Sequence, residues 1–136
     1  MHRAHHSQYS LRRSSLIRCN RSGSHTSMQL SDIPFGTTDW SAIAPTEHKG
    51  LNGVAVWRTQ TFGAIRVRMV DYSPGYIADH WCSKGHILLC LQGELETELE
   101  DGRKFVLKPG MSYQVADDAE PHRSSTRSGA RLFIVD

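Results

Sequence analysis

Residues 75–93 read G-Y-I-A-D-H-W-C-S-K-G-H-I-L-L-C-L-Q-G, which places His80, Cys82 and His86 at i, i+2 and i+6. If residues 79–82 and 86–92 are strands joined by a tight Ser83-Lys84-Gly85 turn, period-2 alternation sends His80 and Cys82 to one face. Side chains two apart on a strand lie roughly 6.6 Å apart, so both can converge on one ion about 2.0–2.3 Å from each donor atom. His86 opens the next strand and can close over the same point. The stretch reads as three quarters of a metal site.

Outward from this segment the chain alternates in short runs. Val54–Thr59 and Ala64–Tyr72, separated by Phe62-Gly63, predict a hairpin. In its second strand Ile65, Val67 and Met69 share one face, which reads as core. Arg66 and Arg68 share the other with Val70 and Tyr72; they could bind a substrate carboxylate if that face is the interior, but since the opposite face reads as core they read as solvated. Glu94–Glu100 alternates Glu with Leu95, Thr97 and Leu99, a half-exposed strand whose acidic comb resists edge pairing. Asp101-Gly102 is the strongest hairpin signal in the sequence, with Phe105–Leu107 as the return strand. Ser112–Val115 is a short strand, Asp117–Pro121 a polar loop delivering His122, and Leu132–Val135 a last strand. Upstream, Thr38–Ile43 predicts one helical turn capped by Thr38 or Asp39, ending before Pro45. About eight short strands with turn signals every 8–12 residues, and no long helix, predict an all-β sandwich or barrel.

At 136 residues the chain suits one domain with a real core. Its formal charge of +2 is unevenly placed. Residues 1–27 hold five Arg (3, 12, 13, 18, 21) and no acid, so residues 28–136 carry 16 − 5 = 11 basic against 14 acidic side chains, a net of −3. A mildly acidic body argues against a nucleic-acid partner. The longest wholly apolar run, Ile87–Leu91, is too short to span a membrane. Three cysteines (19, 82, 90) without framework spacing suit a reducing compartment and predict a cytoplasmic protein. Residues 1–27, rich in Ser, His and Arg, read as a disordered extension upstream of a first residue at Met28. The other reading is an organelle transit peptide, which would change the compartment. Its histidines, His2, His5, His6 and His25, are not counted as ligands.

These residues resemble a known family. Residues 28–136 are similar to a single-domain cupin, whose first motif is G-x5-H-x-H-x3–4-E-x6-G. Here Gly75-x4-His80-Trp81-Cys82-x3-His86-x6-Gly93 matches its frame, with Cys82 at the second His and His86 at the Glu. The second motif, G-x5-P-x-G-x2-H-x3-N, is followed loosely by Gly110-x11-His122, with Asp117, Ala119 and Thr126 at the Pro, Gly and Asn places. Asp79-His80-Trp81-Cys82 resembles the signature of the DHCW-motif cupins.

The resemblance implies a double-stranded β-helix, a jelly-roll barrel, with one divalent metal ion among inward-facing ligands His80, Cys82, His86 and His122. Three His plus Glu suits Fe(II), Mn or Ni, whereas a thiolate with imidazoles is softer and tilts toward zinc or iron, with copper, manganese and nickel as alternatives. Four tight protein ligands would make a closed structural site; catalysis needs an open position. With Cys82 held back, three His would remain, a set resembling the thiol dioxygenases. Two functions follow from the resemblance. One is a small metalloenzyme of oxygenase, isomerase or lyase type on a small organic substrate inside the barrel. The other is a non-catalytic cupin with a structural metal that binds a small ligand or partner. Cupins commonly pair through N-terminal strands, so the 30–36 arm predicts a homodimer.

The remaining candidates have plainer readings. Cys90 is a core residue, and Asp79 a turn group or one that fixes an imidazole tautomer. His48 is loop surface or a lid over the barrel mouth. Tyr76, Trp81 and Tyr113 are packing residues or pocket walls.

Overall fold

The computed structural model describes residues 30–136. The extension 1–27, with both of its readings, lies outside the described residues. One 3-10 turn, Trp40–Ala42, precedes nine strands: β1 Thr46–Lys49, β2 Val54–Phe62, β3 Ile65–Tyr72, β4 His86–Gly93, β5 Leu95–Leu99, β6 Lys104–Leu107, β7 Ser112–Val115, β8 His122–Ser125 and β9 Ala130–Val135. They form two antiparallel sheets, ordered β1-β2-β3-β9-β4-β7 and β6-β5-β8. No described helix is long and apolar enough to cross a membrane.

Local chemistry sets the corners. Asp39 caps the 3-10 turn by accepting from the Ser41 N–H at 3.0 Å. Phe62 pairs with Ile65 across Gly63-Ala64, and Gly63 takes φ 57°, as a tight two-residue hairpin requires. At Asp101-Gly102 the aspartate accepts from the Arg103 N–H at 3.1 Å and joins β5 to β6. The chain changes sheets at Gly93, where φ is 73° and a Cβ would collide with the Gly129 carbonyl; only glycine fits.

The core lies between the sheets, with Val70, Leu88, Cys90, Leu95 and Leu132 wholly buried. Each of the three leucines contributes about 2 kcal/mol by its burial. Cys90 is therefore core, as expected.

Three sequence expectations change. Residues 79–82 form no strand: only Cys82 pairs, in an isolated bridge with His122, so alternation does not govern His80. β3 turns its other face inward. Arg68, Val70 and Tyr72 lie opposite Ile134, Leu132 and Ala130, all buried, whereas Ile65, Val67 and Met69 are half-buried on the outer face. His48 belongs to strand β1, its ring centroid 3.8 Å from that of Trp57, rather than to a loop. The 30–36 arm contains no strand, and Phe35 is 99% exposed.

Candidate metal centre

Three segments deliver ligand-type side chains to one end of the space between the sheets. His86 begins β4 and shares the inward parity of Leu88 and Cys90. His122 begins β8 with the inward parity of Ser124, and is buried. Cys82 reaches the site through main-chain bonds in both directions, its N–H donating to the His122 carbonyl at 2.8 Å and its carbonyl accepting from the His122 N–H at 3.0 Å. The donor atoms of Cys82, His86 and His122 lie within 4.8 Å of one another.

His80 stands apart. Its side chain is 72% exposed, at the cavity rim, and its Nδ1 lies 2.6 Å from Asp79 Oδ1. That hydrogen bond holds the Asp79 carboxyl below the usual carboxylate range. Of the four residues singled out in the sequence, the structure thus brings three together and leaves His80 outside.

Hydrogen bonds fix the protonation pattern. His122 Nδ1 lies 2.9 Å from the Glu120 carbonyl, which can only accept, so Nδ1 carries the proton and Nε2 presents a lone pair. That Nε2 lies 3.1 Å from His86 Nε2, with the rings edge-to-face. Tyr113 Oη lies 2.9 Å from His86 Nε2. His86 Nδ1 is buried without a partner.

Without an ion, one of two conditions follows. A proton on His86 Nε2 leaves a buried, unanswered lone pair on Nδ1. A proton on Nδ1 leaves that N–H buried without an acceptor among the described residues and two Nε2 lone pairs facing each other at 3.1 Å. A cation relieves the lone-pair contact. Two imidazoles ligated at 2.0–2.1 Å stand about 3.3 Å apart around a tetrahedral ion and about 2.9 Å apart in an octahedral one, which bracket the observed separation. The two imidazoles fit a metal, and the Cys82 thiol lies within 4.8 Å of them.

The electrostatics agree. Burial, then the neighbouring His122 and Arg68, push the His86 pKa down to about 4, so its imidazole is neutral at pH 7. Burial raises the Tyr113 phenol, with Cys82 adding, so it keeps its proton.

The cluster borders a cavity of about 340 Å³ walled by Trp57, Tyr72, Tyr76 and Tyr113 and carrying Arg66 and Arg68. A larger hollow of about 650 Å³, by Glu94, Glu96 and Glu98, contains none of the cluster. Sequence reasoning missed Asp136 and Trp57, and favoured solvation over an interior face for the arginines. The shared parity of Arg68 with Val70 and Tyr72 was the available signal.

No family model matches this sequence, and no curated protein matches it. The fold, by contrast, is that of solved cupins. A protein described as a predicted oxalate decarboxylase, from Thermotoga maritima, matches with TM-score 0.63 at 16% identity, over 74% of this chain and 96% of that one. Ectoine synthase from P. lautus matches with TM-score 0.60 at 20% identity, over 74% and 76%. An RmlC-like cupin from Shewanella frigidimarina matches with TM-score 0.59 at 15% identity, over 76% and 91%.

Proposed function

We propose that this small cupin barrel holds one divalent metal ion on Cys82, His86 and His122, and acts through it on a small organic substrate in the adjoining cavity. One observation carries the reading: three ligand atoms within 4.8 Å, two of them imidazole nitrogens 3.1 Å apart, at the wall of a cavity large enough for a substrate. The proposal takes three of the four expected ligands, because His80 is engaged with Asp79 at the rim. Three protein ligands leave a position for substrate, which favours an enzyme over a sealed structural ion. Two imidazoles and a thiolate suit zinc or iron ahead of copper, manganese or nickel.

When bound, such an ion supplies Lewis-acid polarisation, or dioxygen chemistry if it is iron. The chain's own residues prepare the site. The Glu120 carbonyl holds the His122 tautomer, and burial keeps His86 neutral. The protonated Tyr113 phenol can donate at the same point, and aromatic side chains wall the cavity beside it. Several neighbours in fold bear enzyme names, among them ectoine synthase and a sugar phosphate isomerase, and that supports a catalytic reading by analogy. From the resemblance to cupins that pair through their N-terminal segments we propose a homodimer, with the exposed Leu30 and Phe35 of the arm in its interface.

Elemental analysis of protein purified without added metal tests the site. About one ion per chain is expected, with at least a tenfold loss in His122→Asn. Equal trace content in both refutes it. Cobalt(II)-loaded protein tests the open position: added azide should shift its visible spectrum, and an unmoved spectrum would favour the saturated, non-catalytic ion.

A further inference from the structure

The cavity beside the cluster holds more positive charge than it answers. Asp136, its side chain wholly buried, accepts from Arg66 Nε and Nη2 and from Arg68 Nη2, each at 2.8 Å. Among the described residues those bonds use one nitrogen of Arg68, and its Nε is buried without a partner. The Arg68 guanidinium carbon lies 4.4 Å from the Trp57 ring centroid. Lys84 also lines the cavity and makes no ion pair among the described residues. Arg123 is neutralised by Glu98 at 3.3 Å. Arg66, Arg68 and Lys84 thus surround one carboxylate side chain, and of the three Arg68 alone is buried.

Buried charge is costly unless it is matched, and a guanidinium is shaped to take a carboxylate along an edge. Among the described residues lining this cavity, Asp136 is the one with a carboxylate side chain, so Arg68 shares its acceptor with Arg66. We propose that the substrate is a small organic acid, its carboxylate held by Arg68 and Lys84 and its body lying against Trp57 and Tyr76. At about 30 Å³ for each water-sized volume, 340 Å³ admits a molecule of roughly ten non-hydrogen atoms. The proposal rests on this cavity being the substrate site, and not on the metal. Asp136 then has a second consequence, because it shares Arg68 with the ligand and competes with it.

The test uses the full chain, as purified and after chelation, titrated calorimetrically with benzoate, an acid of suitable size, and with neutral benzamide. Benzoate should bind in both preparations and benzamide at least tenfold more weakly. Arg68→Met should weaken benzoate at least tenfold and the exposed Lys84→Ala severalfold, whereas Asp136→Asn should tighten it severalfold. Equal binding of benzoate and benzamide overturns the proposal. So does an absence of benzoate binding, or wild-type affinity in both Arg68→Met and Lys84→Ala. Elemental analysis of the same samples separates the two readings. Metal-free protein that binds benzoate refutes the metal site alone, and metal-loaded protein that ignores benzoate refutes the acid site alone.

Discussion

Acid should destabilise the metal-stripped protein through His86 before its carboxylates titrate. The folded imidazole has its pKa pushed from 6.5 to about 4, first by burial and then by His122 and Arg68. In the unfolded chain it returns to about 6.5. Between those values the unfolded state binds a proton that the native state refuses, so stability falls as pH falls, and the contribution is complete above about pH 6.5. At about 1.4 kcal/mol per pH unit, a window of roughly two and a half units removes about 3 kcal/mol. That is a large part of the 5–15 kcal/mol typical of a folded domain. Urea unfolding at about pH 7, 5.5 and 4.5 measures it, beside His86→Gln, which retains a polar group near Tyr113 but does not titrate. Titrating groups other than the coupled His122 act equally in both proteins and cancel. Between pH 7 and 4.5 the wild type should lose roughly 2.5 kcal/mol more than the variant. Identical pH slopes would refute the reasoning.

Three further outcomes follow from the geometry. Cys82→Ser should lower metal content severalfold or more while Cys90→Ser, buried among Leu88 and Leu132, leaves it nearly unchanged; equal content in both variants defeats the thiolate assignment. Asp136→Ala strands the buried Arg68 and should cost about 3 kcal/mol in urea unfolding, with part recovered in Asp136→Ala/Arg68→Met; a loss below about 1 kcal/mol would show the ion cluster to be dispensable. If the arm forms the dimer, light scattering after size exclusion should give a dimer mass for the wild type and a monomer for Phe35→Glu, and a wild-type monomer would end that proposal.

How much of this was legible in the sequence depends on the range over which each feature is decided. Turn chemistry is local, so the hairpins at Gly63 and at Asp101-Gly102 formed where their residues predict. The inward parity of His86, Leu88 and Cys90 is carried by one continuous strand and could be read directly. At His80 the same alternation fails, because residues 79–81 make no ladder and nothing enforces a period of two. Strand β1 escaped because Thr-Glu-His-Lys carries no apolar alternation; it forms by pairing with β2. β8 escaped for a similar reason, since His-Arg-Ser-Ser looks polar although His122 and Ser124 are buried. The face of β3 was decided from afar. An arginine can point into the protein only if a counter-charge meets it, and Asp136 lies beyond any local window.

The paired main-chain bonds between Cys82 and His122 have a mechanical consequence. They clip a strandless segment to the first residue of β8, so the thiol and one imidazole move as a single jaw, while His86 is carried by a different strand. A cation arriving at this point therefore has one gap to close rather than three donors to gather. The same clip ties the grip on the ion to the seam between residue 82 and β8. Hydrogen exchange at the Cys82 and His122 amides should slow together when the ion is added, as one latch.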